Sequence, residues 1–170
     1  YGGNSSSVAS QLASNVQKIF SDGLAFAALK DDGSVVTWGN QTYGGDSSSV
    51  ASELSSNVTT IYSNRNAFAA LKNDGSVVTW GDGNSGDGST GGDSSSVASE
   101  LSSDVTTIYS NLYAFAALKD NGSVVTWGSG DYGGDSSNVA SELSNSVSAI
   151  YSTGRAFAAL KDDGSVVTWG

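Results

Sequence analysis

The chain carries one pattern of apolar and polar positions four times over. In its first copy the apolar run AFAAL is followed by Lys30, then Asp31-Asp32-Gly33, then the run SVVTWG. Two apolar runs separated by Asp-Asp-Gly, Asn-Asp-Gly or Asp-Asn-Gly predict a β-hairpin. Gly33, Gly75, Gly122 and Gly164 supply the positive φ such a turn needs. The second run is β-branched and closes on Trp, a good strand composition. Upstream, NVQKIFS alternates Val16, Lys18 and Phe20 against Gln17 and Ile19, which predicts a further strand. The block DSSSVASELSS differs in period. Val50 and Leu54 lie four apart, and Ser47, Ser48 and Ser49 are candidate N-caps, so one or two helical turns or an irregular fourth strand are expected. Gly-Gly pairs at 44–45, 91–92 and 133–134 mark a sharp turn before that block.

The period is 42 residues. Trp38, Trp80, Trp127 and Trp169 are spaced by 42, 47 and 42, and Phe26, Phe68, Phe115 and Phe157 follow the same intervals. The five extra residues fall within 82–89. The reading is one repeat domain, 1–170, with units at 1–42, 43–89, 90–131 and 132–170. A sheet of three or four strands leaves an apolar face uncovered, so the units must stack on one another. Ala25, Ala27 and Ala28 have little bulk and predict inner strands near a crowded centre. Phe26, Leu29, Ile19, Val35 and Trp38 would then fill the space between units. The expected fold is all-β, a β-propeller-like assembly of four repeats with three to four antiparallel strands each. An open β-solenoid or stacked array is the alternative. Residues 5–14 are placed to complete a blade and close the ring against the last unit, which would remove exposed sheet edges. A larger ring made by two chains, or an open array, uses the same strands.

The frame V..L....V..I......FAAL..DGSVVTWG....YGG resembles the repeat of the regulator of chromosome condensation family. The resemblance covers all four units, and its most specific stretch is Asp-Gly to Trp-Gly. It implies a β-propeller with four-stranded blades, commonly seven in that family. The wording is similar to that of regular bacterial tandem repeats in large secreted or surface proteins. The chain departs from the family pattern at Phe26, Phe68, Phe115 and Phe157, where the family usually has His, and its unit is several residues shorter. No motif matches the loop residues that nucleotide exchange on a small GTPase requires, so that activity is not carried over.

Composition narrows the function. Seventeen acidic and seven basic residues give a formal charge of −10, which opposes a phosphate backbone, so no nucleic-acid partner is expected. The absence of Cys and His removes thiol catalysis, disulfides, the Ser-His-Asp triad and the usual zinc ligands. No apolar run approaches the ~20 residues of a membrane-spanning helix, so no membrane insertion is expected.

Few groups remain for chemistry, and no catalytic residue is assigned. Asp31–Asp32 and Asp162–Asp163 read as turn formers, and Glu53, Glu100 and Glu142 as a solvated face. No cofactor is expected, with calcium at Asp82, Asn84 and Asp87 the one candidate, since GDGNSGDGST partly matches a calcium loop. The clearer signal is variation inside a fixed frame. Just before each AFAAL strand the units read Asp22-Gly23-Leu24, Asn64-Arg65-Asn66, Asn111-Leu112-Tyr113 and Thr153-Gly154-Arg155. Loops on a rigid scaffold are where binding concentrates, and Arg and Tyr are common interface anchors. The expectation is a non-catalytic structural or adhesive repeat module of a larger extracellular or cell-surface protein, associating with itself or with neighbouring repeats. A stand-alone propeller that binds a protein or glycan through these loops is the alternative.

Overall fold

The computed structural model describes residues 2–83 and 90–170. Each unit folds as a three-stranded antiparallel sheet in sequence order. The strands are β1 (Val16–Ser21), β2 (Ala25–Lys30) and β3 (Val35–Gly39), then β4 (Val58–Ser63), β5 (Ala67–Lys72) and β6 (Val77–Gly81). They continue as β7 (Val105–Ser110), β8 (Ala114–Lys119) and β9 (Val124–Gly128), then β10 (Val147–Ser152), β11 (Phe157–Lys161) and β12 (Val166–Trp169). The hairpin glycines take the expected left-handed backbone, with φ of 76°, 77°, 76° and 85°. The Ser-rich block adds no fourth strand. It forms short 3-10 turns such as Ser48–Val50 and Glu53–Ser55.

Two expectations need correction. The alternation of Val16, Lys18 and Phe20 breaks, because a register shift lies between Val16 and Lys18 and recurs in every unit. The extra residue turns the first and fourth positions of the strand to one face. Val58 and Ile61 therefore share one core cluster, as do Val105 and Ile108. The Ala-rich strand is also not the innermost one. It is the middle strand of its sheet, while β1, β4, β7 and β10 are the strands that neighbour one another between units. Its alanines answer a different demand. Ala67, Ala69 and Leu71 of one sheet lie flat against Leu101, Ile108, Phe115 and Trp127 of the next. A small face thus receives a large one, and close packing follows.

The large face is built by cross-strand pairing. Phe26↔Trp38, Phe68↔Trp80, Phe115↔Trp127 and Phe157↔Trp169 are register partners. Their rings stack at centroid distances of 5.2, 5.3, 5.2 and 5.4 Å. The Gly-Gly linker closes over the last three pairs. Trp80, Trp127 and Trp169 donate their indole N–H to the carbonyls of Gly44, Gly91 and Gly133 at 3.1, 3.1 and 3.0 Å. Those glycines have φ of 104°, 98° and 85°, which itself favours glycine.

Backbone bonds fix the stacking register. The amides of Val58, Val105 and Val147 donate to the hairpin carbonyls of Gly33, Gly75 and Gly122 of the preceding unit, each at 3.0 Å. The residue before each of those valines has positive φ: Asn57 at 66°, Asp104 at 67° and Ser146 at 61°. Asn and Asp tolerate that conformation better than Ser does. Ser146→Asn is therefore expected to stabilise the protein by roughly 0.5–1 kcal/mol. Chemical denaturation checks this, and an unchanged or lower midpoint would contradict it.

The four sheets form an open arc. Core clusters join the first unit to the second, the second to the third and the third to the fourth. The remaining cluster gathers Ala28, Val36 and Trp38 with Val8, Leu12, Val16 and Phe26, all of the first unit. Residues 5–14 thus cover part of the first sheet instead of bringing it against the fourth. Ile19 is 56% exposed, whereas its counterparts Ile61, Ile108 and Ile150 are 2–3% exposed.

Candidate functional site

The β1–β2 loop and its three counterparts line up along one rim. Each loop begins with a residue whose side chain accepts from the backbone two and three residues on. Asn64 Oδ1 accepts the amides of Asn66 and Ala67, both at 2.9 Å, and Asn111 Oδ1 those of Tyr113 and Ala114 at 3.1 and 2.9 Å. Their Nδ2 groups donate to the carbonyls of Thr90 and Tyr132 at 2.5 and 2.6 Å. Asn64 and Asn111 are buried, so they shape the loops from beneath. Asp22 and Thr153 occupy the same position and accept in the same way. The tips are stitched together by backbone: Gly23 donates to Arg65, Arg65 to Leu112 and Leu112 to Gly154, at 3.3, 3.1 and 3.4 Å.

On this stitched base stands a row of side chains. The Arg65 guanidinium donates to the Tyr113 hydroxyl at 3.2 Å and lies 6.0 Å from that ring's centroid. Tyr113 meets Tyr132 edge to face at 4.8 Å. Arg155 sits over the Tyr132 ring at 5.2 Å. Two guanidinium groups thus bracket two aromatic rings, and these are both arginines of the chain. Asn66 and Tyr113 are half-buried, while Leu24, Leu112, Thr153 and Arg155 are exposed on the same rim. Tyr132 belongs to the linker block that reads Tyr-Gly-Gly or Thr-Gly-Gly, outside the variable loops. Its role comes from the fold, which brings the linker beside Tyr113.

The carboxylates are arranged for structure. Ser34, Ser76 and Ser165 donate hydroxyl and amide to Asp32, Asp74 and Asp163, which holds those carboxyls below their ordinary range. The hydroxyls of Ser52, Ser99 and Ser141 do the same for Glu53, Glu100 and Glu142. Such groups stay ionised and are poor proton donors. Asp22 differs: burial raises its carboxyl, against two bonds from the Leu24 and Ala25 amides that lower it. Among the described residues no group of three or more acidic side chains is placed to hold a metal ion. Of the calcium candidates, Asn84 and Asp87 lie outside the described residues. Asp82 is buried, with its carbonyl accepting from the Thr90 hydroxyl and the Gly92 amide. Shallow grooves also run between units, one of about 440 Å³ lined by Asp93, Glu100, Trp127 and Asp135.

No family model matches the chain, and no curated protein does. Solved structures do. Yeast RCC1 (Prp20), solved bound to Kap60, is 21% identical over 90% of this chain and 43% of its own, with a TM-score of 0.60. Prp20p from Saccharomyces cerevisiae, described with its binding to Gsp1p and histones, gives 18%, 90%, 44% and 0.60. Human WBSCR16 gives 20%, 91%, 47% and 0.56. The chain spans less than half the length of each. The fold is that of β-propeller repeats. More particularly, it has the fold of the RCC1-like repeat, built here from four units.

Proposed function

We propose that this chain is a non-catalytic, protein-binding repeat module, and that its contact surface is the rim carrying Arg65, Tyr113, Tyr132 and Arg155. The observation that carries this reading is the bracket of two guanidinium groups around two aromatic rings on a backbone-stitched base. Arg and Tyr carry much of the energy in protein interfaces, and a rigid base lowers the ordering cost of binding. The chain is otherwise strongly acidic. A partner segment bearing carboxylates next to an apolar or aromatic residue suits this rim. Its acids would reach the guanidinium groups, and Leu24 and Leu112 would meet its apolar side chain. The known binding of Prp20p to Gsp1p and histones supports protein binding as a use of this fold.

A hydroxyl-rich surface free of Cys and His, built from near-identical units, suits a structural or adhesive segment of an extracellular or cell-surface protein.

The test is selection of displayed peptides against the chain. Selected peptides are expected to be enriched in Asp or Glu. Their affinity should fall at least about tenfold, or ~1.4 kcal/mol, in Arg65→Ser/Arg155→Ser, and should weaken with added salt. Peptides that bind the double variant equally well would sink the reading.

A further inference from the structure

We infer that the two end faces of the arc bind each other in a second copy of the chain, head to tail, through the interface that already joins its own units. The first unit presents Leu12, Val16, Ile19 and Phe26, with Ala28 and Trp38 buried beneath them. These match, residue for residue, the large face with which the fourth unit meets the third: Leu143, Val147, Ile150, Phe157, Ala159 and Trp169. The fourth unit presents Tyr151, Ala156, Ala158, Leu160 and Val166 on its other side. They repeat Tyr109, Ala114, Ala116, Leu118 and Val124, the small face of the third unit. Each of these positions is therefore occupied by the residue type that fills it inside the chain.

Exposure marks these faces as unfinished. Tyr151 is 62% and Val166 61% exposed, while Tyr109 and Val124 pack against the core between units. Gly164 faces open space, where Gly33, Gly75 and Gly122 each abut the next unit. The polar groups match as well. Within the chain Ser63, Ser110 and Ser152 donate their hydroxyls to the Ser21, Ser63 and Ser110 carbonyls at 2.8–2.9 Å. Between copies the Ser21 hydroxyl would donate to the Ser152 carbonyl, the Val16 amide to Gly164, and the Gly154 amide to Gly23.

The contact joins unlike faces, so it is heterologous and either closes a ring or extends a filament. Two large faces, or two small ones, do not interlock. The chains carry like charge, so association should strengthen as salt screens the repulsion.

Sedimentation of the 170-residue chain is expected to show concentration-dependent oligomers. Ile19→Asp and Tyr151→Asp alter exposed residues, so each variant should keep its strand signal in circular dichroism. Each alone should be monomeric, with association weakened at least about 100-fold. Mixed in equal amounts, they should form a 1:1 dimer, because each retains the face the other lacks. A monomeric parent chain, or a variant that still pairs with itself, would overturn the inference. A second readout uses the absence of native cysteine. Ser21→Cys and Ser152→Cys chains, mixed and mildly oxidised, should yield the mixed disulfide. A predominance of 21–21 or 152–152 links would count against the proposal.

Discussion

Phe115→Ala is expected to lower stability by about 3–5 kcal/mol, through loss of a fully buried ring and the cavity it leaves. Phe115 is enclosed on every side. It stacks on Trp127, lies under Gly91 and meets Ala67 and Ala69 of the preceding sheet. The linker packs directly on the ring, since a Cβ on Gly91 would sit 2.7 Å from it, so truncation opens a cavity between linker and sheet. The informative comparison is Phe26→Ala. Phe26 has the same stacked Trp partner but only half the cover, since no preceding sheet lies on it. Its loss is expected to cost about 1–2 kcal/mol, in proportion to the smaller area removed from water. Denaturant titrations of both variants, made on a Tyr151→Asp background to keep the chain monomeric, measure the gap. Equal losses at the two positions would refute the open arc.

Asp22→Asn is expected to do the reverse and stabilise the protein at neutral pH by about 1–2 kcal/mol. Asn64 and Asn111 accept two amides through Oδ1 and donate through Nδ2 to a linker carbonyl. Asp22 reproduces the two acceptor bonds at 2.6 Å each, but its Oδ2 is buried without a hydrogen-bond partner. Where its neighbours carry a donor, it carries a second acceptor. Burial therefore raises the Asp22 carboxyl above its ordinary value. A raised native value means the folded state holds the proton more tightly. That contribution is fully present below the unfolded value near ~4 and is lost as pH rises through the native value. The advantage of Asp22→Asn should accordingly be largest near neutrality and shrink as the medium is acidified toward pH ~4. Thermal unfolding of both proteins across that range checks it, with a gain of about 2–4 °C per kcal/mol. A difference that stays flat with pH, or a less stable variant, would remove the argument.

What the sequence disclosed was mainly what is local. The Asp-Gly hairpins and the Trp-Gly strand ends depend on φ preferences and β-branching within a few residues, and they stand where the pattern put them. The place of the Ala strand in the middle of its sheet is not local. Ala27 is buried because a neighbouring sheet brings Ile61 and Phe68 to it, a contact across dozens of residues that composition does not encode. The bulge at Val16 was likewise hidden, since a one-residue register shift leaves no mark in an alternation this short. The rim shows both cases at once. Variation between units pointed to Arg65, Tyr113 and Arg155. The same variation also drew in Asn64 and Asn111, whose side chains turn inward to hold the loop. Tyr132 lies outside those loops, in the linker, and only the fold brings it beside Tyr113.

The interlock of a small face with the large face of the next sheet also bears on how such a chain changes length. Any cut made at equivalent points one period apart removes or adds a whole sheet and leaves every surviving boundary with the same pair of faces. Frame-preserving duplication or deletion of 42 residues thus creates no new kind of contact. Length becomes a heritable variable independent of fold. The rim loops join neighbouring units through backbone bonds, so their side chains are free to record how the copies have diverged.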